Sequence, residues 1–123
     1  MRVSDERLDP SGLSRPDGAV PYTLIWGLAV PRLPGIYVIN DIRGPLYVGR
    51  SIDLRRRFEE HYDGSHNPLL AGALSRPLGL LTFSWFLVDQ ESLSTVEHRL
   101  IGLLQPICNI IKSRSKPELL QRN

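Results

Sequence analysis

The stretch GIYVINDIRGPLYVGRS, residues 35–51, decides the fold that this sequence predicts. Two apolar runs, residues 36–40 and 46–50, have the β-branched and aromatic composition of strands. The segment between them contains glycine and proline, so the pattern predicts a β-hairpin. Each strand carries one tyrosine two residues from a glycine: Tyr37 follows Gly35 on the first strand, and Tyr47 precedes Gly49 on the second. The two tyrosines are ten residues apart in the sequence, and other residues of the chain indicate what this spacing is for.

Two helices are predicted directly after the hairpin. Ser51 can cap a helix that runs from about residue 53 to residue 62. Asn67 followed by Pro68 is a second start signal, because asparagine caps helices and proline fits their first turn, and about eight residues of helix follow.

A third strand and a last helix complete the predicted fold. Residues 81–89 are aromatic and β-branched, as a strand requires, and residues 94–104 form an apolar-striped helix that Pro106 ends. The order β, β, α, α, β, α predicts an α/β (α+β) fold, with a small three-stranded, mainly antiparallel sheet flanked by helices.

The two ends of the chain differ from this central part. Prolines and glycines make residues 1–21 a flexible lead-in, and residues 22–30 are apolar but short, so they could form a strand or a helical turn. We therefore expect a flexible N-terminal extension over residues 1–30, one domain over residues 31–111, and a basic tail over residues 112–123.

The composition is that of a globular protein: of 123 residues, 41% are hydrophobic and 23% charged, which argues against a disordered chain. The formal charge is only +2, but positive charge is concentrated in residues 43–61 and 112–123, where a polyanion could bind. Cys108 is the single cysteine, so neither an intramolecular disulfide nor a cysteine-based zinc site can form. With no secretory pattern and no long apolar run, we expect a cytoplasmic protein without membrane contact.

Helical spacing separates the arginine cluster into two faces. One face combines apolar and functional side chains, namely Leu54, Arg57, Phe58 and His61, and its apolar members should turn it toward the core. Arg55, Arg56 and Glu59 point away from that face. The alternative for Arg57 is a surface ion pair with Asp53, worth a few tenths of a kcal/mol.

Glu97 borders the apolar face of the last predicted helix, where Leu100, Ile101 and Leu104 follow at helical spacing. It also fits a capping box with Ser94, in which the glutamate would only satisfy a backbone N–H. The tyrosines have a structural alternative as well, since strand tyrosines usually pack their rings and satisfy their hydroxyls incidentally. Gly35 and Gly49 would then be ordinary strand-end residues.

Taken together, these positions resemble the GIY-YIG endonuclease family over residues 34–110. The matching residues are Gly35, Ile36, Tyr37, Tyr47, Val48, Gly49, Arg57, His61, Glu97 and Asn109. Within the motif only Val48 departs from the pattern, where the family has isoleucine, and valine keeps a β-branched apolar side chain.

The resemblance implies a divalent-metal-dependent phosphodiesterase that cuts DNA, using Mg²⁺ or Mn²⁺. It implies that Glu97 is the sole carboxylate ligand of one metal ion, and that Tyr37 and Tyr47 activate and orient the attacking water. Arg57 would stabilise phosphate charge, His61 would accept a proton, and Asn109 would fix the local geometry.

Arg50, Ser51, Arg55 and Arg56 are candidates for contacts with the DNA backbone, and His66 is an additional candidate. The expected substrate is double-stranded or branched DNA, with a homodimer or a partner protein supplying target recognition. The alternative is a catalytically silent module that binds nucleic acid or protein. Such a module would be expected to lose Tyr47, Arg57 or Glu97, and this sequence retains all three.

Overall fold

The computed structural model of the chain describes residues 15–63 and 67–109. Its helices and strands, in chain order, are β1 (Gly18–Pro21), a 3-10 helix (Leu24–Ala29), β2 (Gly35–Asp41), β3 (Gly44–Ser51), α1 (Leu54–Asp63), α2 (Pro68–Ser75), β4 (Thr82–Leu87), a second 3-10 helix (Gln90–Ser92) and α3 (Leu93–Leu104). Within these ranges, no helix has the length and apolar character that a membrane crossing requires.

The strands form one antiparallel sheet in the order β1-β4-β2-β3. The predicted fold class and hairpin are confirmed, but the sheet has four strands rather than three. The additional strand, β1, lies in the segment that the sequence placed in a flexible extension. Its four residues pair with β4, which follows some sixty residues later. No local sequence pattern predicts a pairing between segments so far apart in the chain.

The short apolar segment that the sequence left open forms the first 3-10 helix. Its only buried residue is Gly27, which packs against Phe58 of α1. The domain as folded therefore includes residues before position 31, because β1 and this helix both pack on it.

Hydrophobic clusters cover both faces of the sheet. Alternate residues of a strand point to opposite faces, so Tyr37 and Ile39 join the cluster with Leu54 and Phe58 of α1. Ile36, Val38, Val48 and Phe86 join the cluster with Leu93, Val96 and Leu100 of α3. Tyr37 and Tyr47 therefore lie on the α1 side of the sheet, and Glu97 comes from the helix on the other side.

The start of α1 differs in detail from the prediction. Asp53, rather than Ser51, caps the helix, because its Oδ1 accepts a hydrogen bond from the N–H of Arg56 at 3.1 Å. At α2 the predicted cap is confirmed: Asn67 Oδ1 accepts from the N–H groups of Leu69 and Leu70 at 2.9 and 3.1 Å.

A buried carboxylate organises the turn between β2 and β3. Asp41, whose side chain is 0% exposed, accepts hydrogen bonds from the backbone N–H, Nε and Nη2 of Arg43 and from the N–H of Leu78. The side-chain hydrogen bonds from Arg43 are the main reason that the pKa of Asp41 lies far below its ordinary value. The same carboxylate thus joins the hairpin to the loop before β4.

We predict that Asp41→Asn lowers the free energy of unfolding at neutral pH by about 2 kcal/mol, because a charged acceptor of several hydrogen bonds is lost. Since the pKa is depressed in the folded state, this stabilisation is present above the ordinary pKa of about 3.9 and declines as the pH falls below it. Urea unfolding of both proteins at several pH values measures the difference. The control is Asp89→Asn, at an exposed position; equal losses in both variants would contradict the prediction.

Candidate active site

The hairpin brings the two tyrosines together. The ring centroids of Tyr37 and Tyr47 lie 6.1 Å apart, and both residues are almost completely buried. Gly49 stands directly opposite Tyr37 in the β2–β3 register. A Cβ at residue 49 would lie 2.5 Å from Cζ of Tyr37, so the Tyr37 ring can occupy its position only because residue 49 is glycine. Gly49 is therefore not an ordinary strand-end residue.

Gly35 has a similar requirement at the start of the same strand. A Cβ there would lie 2.8 Å from Cδ1 of Leu54 and also crowd the carbonyl oxygen of Phe86. This glycine lets β2 approach both β4 and α1 closely. The two glycines of the motif thus serve packing around the tyrosines, which the sequence alone did not resolve.

A hydrogen bond connects the hairpin to α1. The hydroxyl of Tyr37 lies 2.8 Å from Nε2 of His61, and both groups are buried. The Tyr37 ring stacks on Phe83 with centroids 5.2 Å apart and an interplanar angle of 7°. Tyr47 meets the His61 ring in an edge arrangement at 5.7 Å. Two phenols and one imidazole therefore share a single cluster.

Burial dominates the acid–base behaviour of Tyr37 in this cluster. The pKa of Tyr37 is raised well above 10.0, first because burial disfavours the phenolate and second because Tyr47 adds to the effect. Arg57 opposes the shift and Glu97 adds to it. Tyr37 is thus a neutral phenol at physiological pH, and the charges of Arg57 and Glu97 both act on it.

Arg57 lies on the face of α1 that the helical spacing predicted. Its side chain is 36% exposed, and Nε lies 3.1 Å from Oε1 of Glu60. That buried Nε–H nevertheless makes no hydrogen bond within the described part of the chain. The ion pair with Asp53 does not form, since the Asp53 carboxylate binds Arg32 at 2.9 Å.

Glu97 does not take part in the capping box that its spacing allowed. Helix α3 begins at Leu93, so Ser94 lies inside the helix and cannot be its cap. The Glu97 side chain is 23% exposed, and its Oε1 lies 3.5 Å from Nη1 of Arg50 on β3. The carboxylate is therefore directed to β3, which is an edge strand of the sheet.

Asn109 is bound to the same edge strand. Its Oδ1 accepts from the N–H of Val48 at 2.7 Å, and its Nδ2 donates to the carbonyl of Val48 at 3.0 Å. The amide thus satisfies both backbone groups of the residue that separates Tyr47 from Gly49. This contact fits the predicted positioning role of Asn109.

The protein ligands available for a metal ion are few. Among residues 15–63 and 67–109, no cluster of three or more His, Cys, Asp or Glu side chains could hold an ion. Mg²⁺ fits this poor donor set, because it keeps several waters and is commonly held by one or two carboxylates together with substrate phosphates. Glu97 is the carboxylate that would hold it.

Two of the four residues predicted to contact DNA, Ser51 and Arg55, form hydrogen bonds within the chain. Ser51 is buried, and its hydroxyl donates to the carbonyl of Asp53 and accepts from the N–H of the same residue. Arg55 donates to the carbonyls of Val30 at 2.9 Å and Leu28 at 3.2 Å. These hydrogen bonds occupy the Ser51 hydroxyl and part of the Arg55 guanidinium.

The other two predicted contacts, Arg50 and Arg56, are exposed at 48% and 52% of their side chains. His66 lies outside the described residues, as does the basic tail. One contributor was missed: the Tyr22 hydroxyl donates to the carbonyl of Phe58 at 2.9 Å and so positions α1. Its signal was the apolar segment that begins at residue 22, whose structure the sequence left open.

The β2–β3 hairpin thus carries two buried tyrosines, α1 carries an arginine and a histidine one turn apart, and α3 carries a glutamate. Residues 33–111 match the family described as the GIY-YIG catalytic domain. The chain therefore belongs to the GIY-YIG catalytic domain family, and the resemblance seen in the sequence is confirmed.

Curated relatives and solved structures agree with this assignment. The chain is 34% identical over 84 residues to UvrABC system protein C of Finegoldia magna and 31% identical over 84 residues to that of Moorella thermoacetica. These matches cover 67% and 68% of this chain but only 14% and 12% of the relatives, so the chain spans a small part of their length.

The fold is similar to that of the GIY-YIG N-terminal endonuclease domain of UvrC from Thermotoga maritima, solved with its catalytic magnesium ion. The TM-score is 0.56 at 17% sequence identity, and the match covers 69% of this chain and 92% of that domain.

Proposed function

We propose that the protein is a metal-dependent endonuclease that hydrolyses phosphodiester bonds of DNA. The observation that carries this proposal is the 2.8 Å hydrogen bond between the Tyr37 hydroxyl and Nε2 of His61, in a cluster influenced by Arg57 and Glu97. A buried tyrosine hydroxyl usually finds a hydrogen-bond partner, and here that partner is an imidazole, a group that can take up a proton.

The raised pKa of Tyr37 decides how this phenol can act as a base. An ordinary tyrosine, with a pKa of about 10, is ionised roughly once in a thousand molecules at pH 7, and burial makes the phenolate rarer still. A neutral hydroxyl avoids this difficulty if it passes its own proton to His61 while it takes one from water. This route requires neutral His61 with Nε2 unprotonated, so that Tyr37 donates the hydrogen bond.

The charged residues would act on the phosphate. Arg57 would donate to the phosphoryl oxygens as negative charge develops on them, and its buried Nε–H, which has no hydrogen-bond partner among the described residues, fits that role. Glu97 would hold Mg²⁺ or Mn²⁺. When bound, the ion supplies Lewis-acid stabilisation of the reacting phosphate and the leaving oxygen.

DNA is the proposed substrate because the relatives are parts of the UvrABC system and because exposed Arg50 lies next to Glu97. The test is incubation with plasmid, branched DNA and single-stranded RNA, each with Mg²⁺ or with EDTA. We expect cleavage of DNA only with the metal. Undiminished cleavage in EDTA would contradict the metal-dependent scheme, and cleavage of RNA alone would contradict the substrate.

We predict that Arg57→Ala lowers single-turnover cleavage by about a hundredfold or more, the effect of losing one transition-state donor. Arg56→Ala is the matched control, because Arg56 also contacts Glu60, at 3.6 Å, but lies on the outer side of α1. We expect it to weaken DNA binding modestly and to reduce the salt dependence of binding. Equal losses of affinity in both variants, with unchanged cleavage of bound DNA, would contradict the role of Arg57.

A further inference from the structure

The first 3-10 helix exposes an unusually apolar surface. Four of its six residues are large and apolar, and we call them the apolar patch: Leu24, Ile25, Trp26 and Leu28, exposed at 55%, 72%, 45% and 74%. Because a 3-10 helix repeats every three residues, Ile25 and Leu28 lie on the same side. They border an open groove of about 450 Å³ together with Trp26 and Ala29.

Contacts with α1 hold the 3-10 helix that carries the patch in place. Gly27 packs on the Phe58 ring, which its Cβ position would approach to 3.2 Å. Arg55 binds the carbonyls of Leu28 and Val30 and so joins the helix to α1. The apolar side chains are thus presented by a fixed backbone, and a partner would lose little free energy in ordering them.

We propose that the apolar patch is the contact surface between two copies of this chain. At roughly 200 Å² per fully exposed large side chain, the patch presents on the order of 500 Å², the upper end of what monomers expose. A standard interface buries about 800 Å² per partner, and about 65% of a homodimer interface is apolar. The patch therefore has the area and composition of the apolar centre of one homodimer interface.

The neighbouring charges fit a second copy better than a nucleic acid. Arg32 is bound to the Asp53 carboxylate at 2.9 Å, and Arg55 is bound to backbone carbonyls, so the charge of Arg32 is balanced and both guanidiniums already donate to groups within the chain. In a two-fold symmetric contact, a residue that meets a second residue of the other copy is matched by the reciprocal contact between the same two positions. The Arg32–Asp53 pair has no net charge, so it would not repel the same pair in a second copy.

The position of the patch leaves the candidate active site open. Arg55, which binds the 3-10 helix, and Arg57, which influences Tyr37, are two residues apart on α1 and so point to opposite flanks of that helix. A dimer formed through the patch would therefore leave the flank of α1 that carries Arg57 uncovered. This inference does not depend on the proposed nuclease activity.

The test is the molar mass of the full chain in solution, measured by sedimentation velocity over a range of micromolar concentrations. We expect a dimer, and we expect Ile25→Glu combined with Leu28→Glu to raise its dissociation constant by at least about a hundredfold. Both positions are highly exposed, so the variant should keep its circular dichroism spectrum and melting temperature. The control is Ile42→Glu, at a position 78% exposed on the hairpin turn, which should remain dimeric.

Three results would overturn the inference. A chain that is monomeric at every concentration has no such interface, and a dimer that persists in the double variant uses another surface. If the chain is monomeric and the double variant loses DNA affinity while Ile42→Glu does not, the patch binds nucleic acid instead.

Discussion

Glu97→Gln is expected to reduce metal-dependent DNA cleavage below detection while the protein stays folded. Glutamine has nearly the shape of glutamate but lacks its charge, and within the described residues no cluster of acidic or histidine side chains could replace it as a metal ligand. Mg²⁺ binds through carboxylates and phosphate oxygens, so a neutral amide leaves the ion without its protein ligand. The readout is single-turnover cleavage of a labelled duplex over a range of Mg²⁺ concentrations.

The Glu97→Gln substitution should hardly change the free energy of unfolding. Glu97 lies inside α3, past the position of a capping residue, and its ion pair with Arg50 spans 3.5 Å between partly exposed side chains. Such a pair contributes about 0–1 kcal/mol, so thermal unfolding should change by no more than that. Glu91→Gln, at an exposed position on the neighbouring 3-10 helix, is the control and should keep full activity. An unfolded Glu97→Gln variant, with unchanged activity per folded molecule, would show that the glutamate is structural.

The parts of the fold that could be predicted are those specified locally. The hairpin, α1 and α3 follow from short apolar patterns, and Asn67 with Pro68 marks the start of α2 through contacts within four residues. The site positions on α1 were also predictable, because helical spacing alone places His61 and Phe58 on one face. His61 and Phe58 are indeed both buried there.

The features that could not be predicted depend on contacts between distant segments. Strand β1 exists because four residues pair with β4, and Asn109 reaches a strand 61 residues earlier. Arg55 was predicted to point into solvent, yet its guanidinium follows the carbonyls of a 3-10 helix that the sequence did not define. Helical spacing gives the direction of a side chain, but the neighbouring segment decides what it contacts.

The same distinction applies to the motif glycines. Spacing identifies Gly49 as part of a pattern, but only the register that places it opposite Tyr37 explains why a side chain is excluded there. The glycine and the asparagine act on the same strand from two sides, since Asn109 binds Val48, the residue before Gly49. Gly49 and Asn109 together fix the position of the backbone beside Tyr47.

Tyr37→Phe is expected to leave a folded protein that binds DNA but cleaves it at least about a hundredfold more slowly, the scale of a lost general base. Phenylalanine keeps the ring that stacks on Phe83 and removes only the hydroxyl that meets His61. Leaving Nε2 without its partner should lower stability by about 1–3 kcal/mol, so rates are compared well below the melting temperature. Tyr22→Phe is the matched control, because it also deletes a buried hydroxyl hydrogen bond but leaves the Tyr37–His61 pair intact, and its rate should fall far less than that of Tyr37→Phe.

The pH dependence of single-turnover cleavage separates Tyr37 from Tyr47. If Tyr37 passes its proton to His61, the rate should rise with pH as the imidazole becomes neutral, because only neutral imidazole can accept the proton. Tyr37→Phe breaks that path and should lose the rise, whereas Tyr47→Phe should cleave slowly but keep it, since Tyr47 would only orient water and phosphate. The reverse pattern would make Tyr47 the base. Near-normal cleavage by both variants would exclude tyrosine chemistry and leave the two phenols with the packing role that strand tyrosines usually have.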